Sequence, residues 1–125
     1  MPATILVLDD DLQVRFNLVA HLEDEDFDIL EAGSSEDALT VLDDAEADLV
    51  IVDLRLPGMD GAAFIKTASA RWPGLRFIVY TGSPEFRIPP NLTLLPNVSN
   101  TVFLKPLSDL DHLVSEIRRM LDEIA

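Results

Sequence analysis

The chain has 125 residues, 48% of them hydrophobic, with 23 acidic residues against 9 basic ones and a formal net charge of -14. That length suits one domain with a real core, and the hydrophobic share excludes a disordered acidic tail. The charge argues against nucleic acid or an anionic membrane as a direct partner, and the absence of cysteine removes disulfides, zinc-thiolate sites and thiol catalysis.

In chain order, TILVL at 4–8 is a short apolar run that reads as a strand buried on both faces. It ends in three adjacent carboxylates, Asp9, Asp10 and Asp11. From Asp11, a ready N-cap, the spacing of Leu12, Phe16, Val19 and Leu22 predicts a helix. FDIL at 27–30 is a second strand. Ser34 or Ser35 caps a helix whose first turn carries Glu36 and Asp37 and whose apolar face is Ala38, Leu42 and Ala45. DLVIVD at 48–53 is the third strand, followed by the loop LPGMDG at 56–61. Phe64, Ile65, Ala68 and Trp72 mark a helix that Pro73 and Gly74 terminate, and RFIVY at 76–80 is the fourth strand. Pro84, Pro89, Pro90 and Pro96 then forbid a full helix over 83–101, so a loop with at most a short, irregular fourth helix is expected. TVFL at 101–104 is a fifth strand, and Leu110, Leu113, Ile117, Leu121 and Ile124 outline a long final helix.

Five rounds of strand and helix predict an α/β fold, a doubly wound five-stranded parallel sheet with helices on both faces. Such sheets bind ligands beyond the carboxyl ends of their strands, where the strand order reverses. Asp9 and Asp10 follow strand one, Asp53 ends strand three, Thr81 follows strand four and Lys105 follows strand five. Carboxylates gathered at one edge call for a cation, and oxygen ligands without His or Cys favour magnesium. Lys and Thr on the far side would hold phosphoryl oxygens, and a carboxylate can itself be the nucleophile, giving an aspartyl phosphate.

The Asp9-Asp10 pair, the VDLRLPGMDG segment around Asp53, Thr81-Gly82 and Lys105-Pro106, each at a strand end and in this order, resemble the receiver domain of bacterial two-component response regulators, of the stand-alone chemotaxis-regulator kind. The resemblance covers the whole chain, weakly between Ser83 and Asn100. It implies the flavodoxin-like strand order 2-1-3-4-5 and a phosphorelay role without a dedicated enzymatic activity. Asp53 would accept the phosphoryl group from a sensor histidine kinase or histidine phosphotransfer protein. Asp10 and Asp53 would ligate Mg2+ directly and Asp9 largely through water, with the backbone carbonyl of Arg55 completing the protein ligands. Thr81 would bond a phosphoryl oxygen, Gly82 would leave the group accessible, and Lys105 would pair with it. The Lys105–Pro106 bond would be cis. A downstream protein would read the change in shape.

Two departures from the family pattern stand out. The strand-five position that often carries Tyr or Phe is Val102, and alternation turns Phe103 to the other face. The proline-rich 83–100 replaces a regular fourth helix. His21 and His112 read as helix-surface residues and Trp72 as a packing residue. No run approaches the roughly 20 apolar residues of a membrane helix, and MPATILVLDD lacks the basic start of a signal peptide, so a cytoplasmic protein is expected. Residues 1–125 read as one receiver domain, either whole or a portion of a longer protein. The rival reading is a haloacid-dehalogenase-like phosphatase with Asp9 as nucleophile and Asp11 as acid-base. It leaves VDLRLPGMDG unexplained and lacks an acidic pair at a further strand end after Lys105. A receiver-like binding module that never takes phosphate is a third reading, and the intact set of acids, Thr and Lys argues against it.

Overall fold

The computed structural model describes residues 2–82, 95–105 and 110–124. The elements run β1 (Thr4–Leu8), α1 (Leu12–Asp24), β2 (Asp28–Ala32), α2 (Ser35–Asp44), β3 (Leu49–Val52), α3 (Gly61–Arg71), β4 (Arg76–Thr81), β5 (Val98–Leu104) and α4 (Asp111–Ile124). The strands form one parallel five-stranded sheet in the order β2-β1-β3-β4-β5. This is the expected architecture and strand order.

The central strands are apolar throughout because both of their faces are covered. Alternation sends Leu6, Leu8, Val50, Val52, Phe77 and Val79 to the face packed by Ala38 and Leu42 of α2 and by Phe64, Ile65 and Ala68 of α3. Ile5, Val7, Leu49, Ile51, Ile78, Tyr80 and Phe103 go to the face packed by Leu18 and Leu22 of α1 and by Leu113, Val114, Ile117 and Met120 of α4. Helix starts follow local chemistry. Asp11 caps α1 by accepting from the amides of Gln13 and Val14 at 3.0 and 3.1 Å. Ser34 caps α2 from Asp37 N at 3.1 Å, and Asp60 caps α3 from Ala63 N at 2.9 Å.

Three expectations shift. In α1, Leu12 and Phe16 face solvent, at 70% and 66% exposure. The inward stripe is partly buried Val14 with buried Leu18 and Leu22, an i, i+4 row that the apolar count did not separate from the first. β2 runs two residues further than expected, through Glu31 and Ala32, because it continues pairing with β1 to Leu8↔Ala32. β5 begins at Val98 rather than Thr101 and includes polar residues. Ser99 there is buried and its hydroxyl donates to Glu116 of α4. At the entry to β5, Asn97 Nδ2 donates to Leu75 O at 2.7 Å. The pairing with β4 shifts register between Phe77↔Val98 and Val79↔Val102, which accommodates the extra residues. Pro84, Pro89 and Pro90, with the irregular fourth helix, lie outside the described residues, as does Pro106 with its peptide bond.

Candidate functional site

The site is built where strand order reverses. β1 and β3 are neighbours in register, Leu8↔Val52, so Asp9 and Asp53 leave the sheet side by side. The amide of Asp53 donates to Leu8 O at 3.1 Å and that of Asp9 to Ala32 O at 3.2 Å. On the other side, Thr81 pairs with Leu104, and Lys105 N donates to Thr81 O at 2.9 Å. Backbone pairing alone therefore brings Lys105 to the carboxylates, 52 residues along the chain from Asp53.

Asp9, Asp10 and Asp53 each offer a carboxylate oxygen within 4.8 Å of the others. Asp9 and Asp53 are only 2% and 6% exposed, whereas Asp10 faces solvent. Lys105 Nζ, with its side chain 12% exposed, bonds Asp53 Oδ2 at 3.0 Å and also Asp9 Oδ2. Desolvation pushes the Asp9 carboxyl above its ordinary range, although the bonds from Lys105 and from the Asp11 amide pull the other way. Burial alone would lower the Lys105 pKa; the bonds to Asp9 and Asp53 outweigh it, and the ammonium is held above its ordinary value. Lys105 is thus a fixed positive charge shared by two buried acids.

The supporting contacts are local. Asp9 Oδ1 accepts from Asp11 N at 2.9 Å, and Asp53 Oδ1 accepts from Arg55 N at 3.1 Å, so each acid's rotamer is held by the turn that follows it. A cavity of about 630 Å³ opens over this edge, lined by Asp10, Asp11, Val14, Asp53, Arg55, Leu56, Pro57, Gly82 and Lys105. Thr81 is completely buried at the end of β4. A side chain at Gly82 would start 3.8 Å from the Lys105 stem, so glycine leaves that side of the cavity open.

The structure therefore gathers Asp9, Asp10, Asp53 and Lys105, puts Arg55 and Gly82 on the cavity wall and Thr81 at the adjoining strand end. Val102 is 39% exposed and Phe103 is in the core, so no aromatic ring of β5 adjoins Thr81 from position 102. His112 is exposed, and Trp72 packs beneath the Arg71 guanidinium at 4.4 Å. Three supporting residues escaped the sequence reading. Arg15 Nη1 donates to Asp9 O at 2.7 Å while its Nε reaches Glu31 Oε1 at 3.2 Å, and a link through a backbone carbonyl leaves no trace in sequence. The buried Ser35 hydroxyl donates to Met59 O at 2.7 Å, tying α2 to the loop after Asp53. Gly61 comes so close to the end of β3 that a Cβ would stand 2.3 Å from Asp53 O. The second glycine of GMDG was the available signal for that approach.

The phosphatase reading finds no support. Asp11, its acid-base, serves as the α1 cap, and Asp9, its nucleophile, is sealed against Lys105. A family model described as the response regulator receiver domain matches residues 5–118. The chain is 28% identical over 123 residues to the sensor kinase CckA of Brucella abortus, across 97% of this chain and 13% of that protein. It is 32% identical over 116 residues to the C4-dicarboxylate transport transcriptional regulatory protein DctD of Rhizobium meliloti, across 93% and 25%. With the sporulation initiation phosphotransferase F of Bacillus subtilis it shares 26% identity over 121 residues, across 97% and 95%. The chain thus spans 13% and 25% of the length of CckA and DctD, and nearly all of the third relative. Among solved structures, a response regulator receiver domain protein from Methanospirillum hungatei superposes with a TM-score of 0.86 at 24% identity, covering 99% of this chain and 97% of that one. TrrA from Thermotoga maritima, solved with Mg(2+)-BeF, superposes at 0.82 and 24%, covering 94% and 98%. Those likenesses carry the fold; the family match over residues 5–118 carries more, and this chain, a phosphoacceptor signalling domain, belongs to the response regulator receiver domain family.

Proposed function

We propose that Asp53 is the phosphoacceptor and that Asp9, Asp10, Thr81, Gly82, Lys105 and the Arg55 carbonyl serve its phosphorylation. The observation that carries this reading is the bond from Lys105 Nζ to Asp53 Oδ2 at 3.0 Å beside an open cavity. It joins a carboxylate that can attack to a cation that can hold the oxygens of the group attacked. Asp53 is fixed by the Arg55 amide and can present an oxygen to phosphorus without reorganising the loop. As its oxygen forms the new bond to phosphorus, the bond from phosphorus to the donor's histidine nitrogen breaks, and the electron pair leaves with the imidazole. Lys105 then exchanges a carboxylate partner for phosphoryl oxygens, and the Thr81 hydroxyl binds another of them.

Receiver domains hold Mg2+ at an acidic pocket, and the donors here suit it: three carboxylates, one of them solvent-facing, and no nitrogen or sulfur ligand among the described residues. We assign Asp10, Asp53 and the Arg55 carbonyl as direct ligands and Asp9 as a ligand through water. Bound there, the ion supplies positive charge against the phosphoryl oxygens. The donor is a sensor histidine kinase or a histidine phosphotransfer protein, and the output is a change of shape read by a partner protein. Nucleic acid and membrane are not direct partners. No described helix is long and apolar enough to cross a membrane, and we place the single domain in the cytoplasm.

Intact-mass measurement after treatment with acetyl phosphate and magnesium tests the assignment. Wild type should gain one phosphoryl group and Asp53→Asn none. Phosphate on Asp53→Asn but not on Asp9→Asn would return the nucleophile to Asp9 and overturn the assignment.

A further inference from the structure

Away from the acidic edge, α1 and α4 bring His21, Glu25 and Asp111 together, each with a ligand atom within 4.8 Å of the others. His21 lies in the last turn of α1 and Glu25 is the residue that caps the helix's C-terminus, four positions further on. Asp111 is the first residue of α4. The His21 Nε2 atom is sealed from solvent and makes no hydrogen bond among the described residues, although 32% of the side chain is exposed. Asp111 Oδ1 lies 3.6 Å from it. That is too long for a hydrogen bond. It matches the roughly 3.3–3.6 Å between two ligand atoms on a tetrahedral ion with bonds of about 2.0–2.2 Å. Glu25 Oε1 is held by Arg118 Nη2 at 3.1 Å, which fixes the carboxylate and sets one positive charge beside two negative ones.

Two chemical facts select the ion. Magnesium prefers an all-oxygen octahedron, whereas an imidazole with two carboxylates suits zinc and its neighbours. The net charge of -14 also concentrates cations around the chain. We propose that His21, Glu25 and Asp111 form a binding site for a zinc-class divalent metal, distinct from the acidic edge, that ties the end of α1 to the start of α4. Metal bonds there replace the 3.6 Å contact and anchor the first turn of the helix that follows Lys105.

Titration calorimetry with zinc chloride tests this, using Asp10→Asn as the parent so that the acidic edge lacks one of its ligands. The parent should bind about one equivalent of zinc and gain thermal stability from it. Adding His21→Gln or Asp111→Asn should each weaken binding by about tenfold or more and abolish the thermal gain. Two substitutions on different helices keep the test valid if one of them disturbs folding. No zinc binding by the parent would leave an ordinary ion pair and overturn the proposal. Unchanged binding in the His21→Gln and Asp111→Asn proteins would place the metal elsewhere and overturn it too. Magnesium saturating the parent with the same His21 dependence would overturn the choice of metal.

Discussion

At the scale of single residues, the balance at the acidic edge is three carboxylates against one ammonium. Lys105 contacts Asp9 and Asp53, while Asp10 has no ion-pair partner among the described residues. The raised Asp9 pKa has a definite sign. The folded state disfavours the Asp9 charge, so the cost is absent below the unfolded value of 3.8 and appears as pH rises through the folded value. Removing Asp10's charge relieves repulsion without opening a buried gap. Asp10→Asn should therefore raise the metal-free melting temperature by about 2–5 °C, or about 0.5–1 kcal/mol. Lys105→Met leaves two buried acids without their cation and should cost about 3 kcal/mol. Calorimetric melting in EDTA at pH 7 reads both, and an unchanged or lowered value for Asp10→Asn would refute an edge destabilised by its own charge.

At the scale of elements, α4 is fastened to β5 by a polar contact in an apolar interface. Glu116 accepts from the buried Ser99 hydroxyl and from Arg119 Nε and Nη2 at 2.6 and 2.8 Å. Arg119 is the main reason that the Glu116 carboxyl is held below its ordinary value of 4.5, with Ser99 helping and burial opposing. A lowered folded value gives stability that is fully present above pH 4.5 and is lost as pH falls through the folded pKa. Glu116→Gln should cost about 0.5–1.5 kcal/mol at pH 7, and the gap to wild type should close in acid. Urea unfolding of both proteins from neutral to acid pH measures that gap. A gap independent of pH would assign the effect to the hydrogen bond alone. Gly61 acts at the same scale: by letting α3 begin against the end of β3, it sets the path of the loop that carries Arg55.

At the scale of the whole molecule, two apolar layers stabilise a fold whose surface carries a net charge of -14. That charge repels itself in the compact state more than in the expanded chain. Sodium chloride at about 0.2 M shortens the screening length to under about 10 Å. Raising it from near zero to that level should therefore increase the metal-free melting temperature of wild type. The same titration on a variant with four exposed acids neutralised, Glu23→Gln, Asp24→Asn, Glu36→Gln and Asp44→Asn, should give a smaller rise. An equal rise in both would mean that the gain owes little to net charge.

The pattern of apolar runs and helical spacing was enough to establish five parallel strands, their order by resemblance, and the five chemical residues at their ends. Local rules govern those features: a strand buried on both faces must be apolar throughout, and Asp11, Ser34 and Asp60 cap the helices they precede. Tertiary structure decided what depends on partners distant in sequence. It chose Val14, Leu18 and Leu22 over Leu12 and Phe16 as the inward row of α1, because either row is helical until a sheet lies against one of them. It extended β5 through polar Ser99, whose buried hydroxyl is satisfied by Glu116 and by the Thr101 amide. It also divided the two aspartates before the Asp11 cap into a sealed ion-pair partner, Asp9, and an exposed acid, Asp10. Their identity is the same and they follow the same strand; only burial against the sheet edge and the lysine opposite give them different work.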